Sequence, residues 1–123
     1  MELKKVKGEG PDRISLEMMD PVMAPGASAT ASAPITVAPG GLSCEAELFL
    51  GPNDTTKVVT SGKKPFTSTG APQSVSFPVI MPSPGGVAYH VYLDVFAEGI
   101  PIVAYVATED VIIPSGSVGP ITW

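Results

Sequence analysis

The strongest constraint on the fold is "VAYHVYLDVFAEGIPIVAYVATEDVII", Val87 to Ile113, which alternates for most of its length and reverses once. Val87, Tyr89, Val91, Leu93, Val95 and Ala97 fall on one side of an extended chain, and Ala88, His90, Tyr92, Asp94 and Phe96 on the other. Successive strand side chains point to opposite faces, so this period of two predicts a strand. Glu98-Gly99 supplies the reversal. Glycine accepts the positive φ of a tight hairpin, although Glu suits a two-residue type I′ turn less well than Asn or Asp. The return strand places Ile100, Ile102, Ala104 and Val106 on one face and Pro101, Val103, Tyr105 and Ala107 on the other. Both faces are apolar, as a central hairpin requires. After a break at Thr108-Glu109-Asp110, Val111–Ile113 forms a last short strand.

The same alternation recurs upstream. "RISLEMMDPV" sets Ile14, Leu16 and Met18 against Ser15, Glu17 and Met19, and Asp20-Pro21 stops it. A strand ending in Ile35 and Val37 follows the Pro25-Gly26 turn. "LSCEAELFLG" places Leu42, Cys44, Ala46, Leu48 and Leu50 opposite Ser43, Glu45, Glu47 and Phe49. "SVSFPVIMP" sets Val75, Phe77, Val79 and Met81 against Ser74, Ser76, Pro78 and Ile80. Proline cannot donate to a ladder, so Pro34 and Pro78 point to edge strands. "GPNDTTK" is a turn cluster, Lys57 to Thr60 a short strand, and "SGKKPFTSTGAPQ" a long polar loop. No stretch sustains a 3.6-residue period. Six to eight short strands punctuated by Gly and Pro predict an all-β, antiparallel sandwich of about seven strands, with the immunoglobulin-like type leading. Residues 1–13 read as a flexible arm, 14–113 as the sandwich, and 114–123 as a flexible tail.

Composition fits one domain of 123 residues. With 14 Pro and 13 Gly, the chain would suggest disorder if it were polar, but 44% of its residues are hydrophobic. The net charge is −5, and no Lys or Arg occurs from Thr67 to Trp123. Neutralising phosphates needs clustered cations, so an acidic body excludes nucleic-acid binding as the main role. Lys4, Lys5 and Lys7 read as a solvated terminus. Cys44 is the single cysteine, which excludes an intrachain disulfide and a cysteine zinc cluster. The opening "MELKKVKGEGPD" lacks the apolar segment of a signal peptide, and no apolar run is long enough to span a membrane. These features predict synthesis in the cytoplasm without a signal peptide and no membrane association.

The progression from "CEAELFLG" through "SVSFPVIMPSPGGVAYHVYLDVFAEGIPIVAY" resembles immunoglobulin-like and fibronectin-like accessory modules, including those of adhesion-type surface proteins and of phage virions. The similarity spans about residues 14–113 and lacks the antibody-type Cys…Trp…Cys core. It implies a β-sandwich of a pattern shared by many non-enzymatic domains, and so speaks to fold more than to function.

Catalytic chemistry finds little footing. His90 is the only imidazole, no nucleophile-elbow motif accompanies it, and Cys44 lies in a strand pattern. Asp94 shares its face four residues on, about 13 Å away at strand rise and out of hydrogen-bond reach. Glu45 and Glu47 stand about 7 Å apart, near a retaining glycosidase spacing, but a chain of this size leaves little room for the cleft and aromatic platforms. Glu109-Asp110, with Asp94 or Asp54, offers hard oxygen ligands for calcium, yet no D-x-D-x-D-G loop is present and a solvated turn is the better reading. No phosphate loop, HExxH or Cys/His ligand set occurs, so no enzyme activity, cofactor or metal is expected.

Other features point to a partner. Trp123, the sole tryptophan, and Ile121 end the tail either as a tethered anchor for a partner or, for Trp123, as a side chain folded back onto its own sandwich. Phe49, Tyr92, Phe96 and Tyr105, with Val103, lie opposite the assigned core positions and would form an aromatic patch if one sheet face stays open, or the core itself if the faces are assigned the other way round. The expectation is a non-enzymatic structural or interaction protein, a virion accessory or capsid-decoration protein that binds a repeated assembly, possible as a homo-oligomer. The alternative is an extracellular or cell-surface module for carbohydrate or matrix, with its export signal missing.

Overall fold

The alternating segments pair as antiparallel ladders in the computed structural model, which describes residues 1–117 and 119. Its strands are β1 (Glu2–Gly8), β2 (Arg13–Ser15), β3 (Ser28–Ile35), β4 (Ser43–Gly51), β5 (Val59–Thr60), β6 (Lys64–Thr67), β7 (Gln73–Ile80), β8 (Val87–Ala97), β9 (Ile100–Ala107) and β10 (Val111–Ile113). Eight form one sheet in the order β2-β1-β9-β8-β4-β5, with β10 also on β8 and β6 also on β4. β3 and β7 form a second, two-stranded sheet. The chain is therefore an all-β sandwich. The described residues include no helix, and so none long and apolar enough to cross a membrane.

The inner faces carry the expected residues. Cys44, Ala46, Leu48 and Leu50 of β4 and Val91, Leu93 and Val95 of β8 meet Ala31, Ala33, Val75, Phe77 and Val79 of the small sheet, all buried. Each fully buried Leu or Phe here stabilises by about 1.5–3 kcal/mol.

Both prolines sit where proline is tolerated. Glu17 N donates to Ser32 O at 2.7 Å and Ser32 N to Glu17 O at 3.1 Å, so Ser32 directs both backbone groups away from β7. In an antiparallel ladder hydrogen-bonded and non-hydrogen-bonded pairs alternate. Ser32–Ser76, Thr30–Pro78 and Pro34–Ser74 are thus all non-hydrogen-bonded pairs. The nitrogens of Pro34 and Pro78 face outward, and the outer edge of β7 is blunted at its centre against further strand pairing.

The Glu98-Gly99 reversal is a two-residue turn with both residues at positive φ, 52° and 77°. Glu98 tolerates this conformation with support from β4. Its N–H donates to Ser43 O, and Ser43 N donates to Glu98 Oε1, each at 2.8 Å.

Three expectations are corrected. The first eight residues are no arm: β1 pairs with β2 and β9, and Leu3 is fully buried. Only Leu3 faces inward with an apolar side chain before the register shifts around Val6, so the lysine-rich strand shows little alternation. The Gly10-Pro11 turn behind it is fastened by the Tyr105 hydroxyl, which donates to Pro11 O at 2.9 Å, and by Lys5 Nζ, which donates to Gly10 O at 3.2 Å. Second, the polar loop after Gly62 contains β6, paired with the first half of β4. Third, the described residues form ten strands instead of about seven, because β1 and β6 join the eight segments read as strands.

Candidate functional site

The outer face of the large sheet holds Phe49, Tyr92 and Phe96 of the expected interaction residues, while one bulge turns Tyr105 inward and one loop covers Phe49. In the β8–β9 hairpin Phe96 pairs with Pro101 and Val95 with Val103, leaving Ile102 as an extra residue. A one-residue bulge reverses which face every later side chain occupies. Val103 and Tyr105 therefore turn inward beside Val95 and Leu93, and Tyr105 is only 3% exposed. Tyr105 belongs to the core and is corrected as a surface candidate.

Phe49 is corrected for a different reason. It lies on the outer face, as its parity requires, yet it is fully buried. The Tyr92 ring stacks on it at 5.1 Å between centroids, and Lys57 Nζ lies 4.9 Å from its centroid on the other contact. The chain after β4 folds back here: a side chain at Gly51 would strike Thr56 O, so the backbone approaches as only glycine allows. Tyr92 and Phe96 remain half-buried on the face, with Lys63 Nζ 4.4 Å from the Phe96 centroid. Ile121 and Trp123 lie outside the described residues.

His90 also differs from expectation. Its reachable partner comes from β10: pairing of Val111 with Tyr89 brings Asp110 alongside, and His90 Nδ1 lies 2.6 Å from Asp110 Oδ1. Both side chains are nearly half exposed, so the pair is a surface contact of small energetic weight. Neither residue lines the recess beside Asp94 or the groove between β5 and β7, and among the described residues Asp110 is the one side chain hydrogen-bonded to His90. Among the described residues no group of three or more His, Cys, Asp or Glu is arranged to hold a metal, which includes the Glu109-Asp110 turn.

The chemically distinctive part of the face is the cross-strand pair Glu47 and Asp94. Glu47 is well partnered: Lys57 Nζ donates to Oε1 at 2.6 Å and the Thr60 hydroxyl donates to Oε2 at 2.5 Å. Burial pushes the Glu47 carboxyl up, but those hydrogen bonds and the charges of Lys57 and Lys63 outweigh it and hold it below the ordinary glutamate value. Asp94 has no such support. Burial raises its carboxyl above the ordinary value, Glu47 and Asp54 add to the rise, and Lys57 and Lys7 only moderate it. Beside it opens a recess of about 370 Å³ lined by Lys7, Asp94, Phe96, Pro101, Ile102 and Ala104, among others. The Ile102 bulge shapes one wall.

A larger groove of about 610 Å³ runs between β5 and β7, flanked by the exposed Val58 and Ile80. It is lined without any titratable side chain. The Asp94 recess was not foreseen from the sequence, because the pairing of Asp94 with Glu47 depends on the register between β4 and β8. No protein-family model matches the chain, and comparisons with curated proteins and with solved structures find no match.

Proposed function

We propose that this domain is a non-enzymatic interaction module that docks onto a larger protein assembly through the outer face of its large sheet. The carrying observation is the composition of that face. It presents half-buried Tyr92 and Phe96, a carboxylate at Asp94 that has no partner among the described residues, and an open recess beside them. Interfaces favour such aromatic residues and a polar group placed in a pocket. The blunted edge of β7 suits a domain that joins others by a face instead of by adding strands.

The finer reading is an immunoglobulin-like or fibronectin-like accessory module that decorates a virion capsid. The antiparallel two-sheet sandwich and the sequence resemblance support it. A carbohydrate-binding role is less well supported, since Lys63 lies over the Phe96 ring, where a sugar would stack. Mixing the purified protein with candidate bacterial or archaeal virus capsids and imaging the particles tests the proposal. Ordered density at stoichiometric occupancy is expected. Absence of bound protein on every particle tried, with the protein folded, contradicts the virion reading.

A further inference from the structure

The Asp94 recess carries a more specific statement, which rests on the docking role just proposed. Asp94 projects from the centre of β8 onto the outer face, half-buried. Among the described residues its carboxylate accepts no hydrogen bond and makes no ion pair. The nearby cations are otherwise placed. Lys57 is held by Glu47, Lys63 lies over Phe96, and Lys7 lines the recess beyond ion-pair distance. A negative charge thus stands beside a second carboxylate, moderated by Lys57 and Lys7 at a distance but paired with neither among the described residues. Local arrangements that break the rules of stability without internal compensation concentrate at functional sites.

The complement of such a site is a cation delivered from outside, and the walls indicate which. Phe96, Pro101, Ile102 and Ala104 make the recess largely apolar, and its volume of about 370 Å³ falls in the range of small-ligand pockets. An ammonium is strongly hydrated and loses much on entering apolar surroundings. A guanidinium is planar and weakly hydrated, lies against flat apolar groups, and donates two parallel hydrogen bonds to one carboxylate. We propose that the recess receives an arginine side chain of the partner protein, its guanidinium paired with Asp94 and its plane lying along Pro101 and Ile102. Lys7 opposes this occupant electrostatically and tunes its affinity.

Titration of ¹³C-labelled protein with N-acetyl-arginine methylamide, followed by NMR at the Asp94 carboxyl and the Ala104 methyl, tests the assignment at 0.15 M salt. Saturable shifts confined to Asp94, Phe96, Pro101 and Ala104 are expected. Asp94→Asn weakens binding by about tenfold or more, as expected for loss of one partner of a desolvated pair. Lys7→Met strengthens it by roughly two- to threefold, since it removes a like charge. Absence of saturable shifts at Asp94, equal binding by Asp94→Asn, or equal binding of the lysine analogue overturns the proposal. The docking role fails separately. If the arginine probe does not bind while the protein still decorates a particle, the site is lost and the docking role stands. If the probe binds but no particle is decorated, the site stands and the docking role is weakened.

Discussion

Glu47 and Asp94 face each other across β4 and β8, yet the described residues supply hydrogen-bond donors to one and none to the other. Like charges directly opposite on adjacent strands destabilise a sheet, and half-burial of Asp94 adds to that. Asp94→Asn keeps the shape and removes the charge. It is expected to raise stability at pH 7 by about 0.5–1 kcal/mol, read as an increased urea midpoint at unchanged slope.

The two carboxylates give opposite pH dependences. Glu47, with its folded value lowered, contributes stability that is present above the ordinary glutamate pKa of about 4.3 and is lost as pH falls through the folded value. Asp94, with its folded value raised, imposes a cost that is absent below the ordinary aspartate pKa of about 3.9 and sets in as pH rises through the folded value. Glu47→Gln therefore lowers Tm at neutral pH, by an amount equivalent to about 1–2 kcal/mol, and the difference from the parent protein shrinks as pH falls through the lowered folded value of Glu47. The gain from Asp94→Asn grows from acid to neutral pH. Calorimetric scans from acid to neutral pH on the three proteins check both trends.

Glu98 combines a strained backbone with a useful side chain. Replacement by Ala keeps the positive φ and loses the carboxylate that accepts from Ser43 N, costing about 1 kcal/mol. Replacement by Gly loses the same hydrogen bond but relieves the left-handed conformation, which costs a non-glycine residue roughly 1 kcal/mol or more. Glu98→Gly is expected to unfold at a higher urea concentration than Glu98→Ala. The reverse order would show that the turn is unstrained.

The hairpin, the edge prolines and the all-β class were legible because each depends on neighbours in sequence: alternation over β8, positive φ at Gly99, and the missing donor of Pro34 and Pro78. What escaped depends on register. The bulge at Ile102 reverses Tyr105 and cannot be read from a strand that is apolar on both faces. Burial of Phe49 requires the loop after Gly51 to fold back, and the His90–Asp110 contact requires β10 to pair with β8. The Asp94 recess was invisible for the same reason, since its walls come from β1, β8 and β9 together.

The integration of β1 into the sheet is directly testable. Leu3→Ala removes a fully buried side chain and is expected to cost about 2–4 kcal/mol, whereas truncation on a free arm would cost close to nothing. Tyr105→Phe, which removes the hydroxyl bound to Pro11 O, is expected to cost about 1 kcal/mol. Hydrogen exchange should show faster opening at Leu3 to Lys5 in both variants.

The central claim is that the outer face of the large sheet meets the partner, with Asp94 inside the contact. Carbodiimide labelling of carboxylates, read by mass spectrometry on free and particle-bound protein, measures it at residue level. Asp94 is expected to lose most of its labelling on the particle while the exposed Asp20 and Glu109 keep theirs. Equal labelling of Asp94 in the free and bound states would contradict the claim.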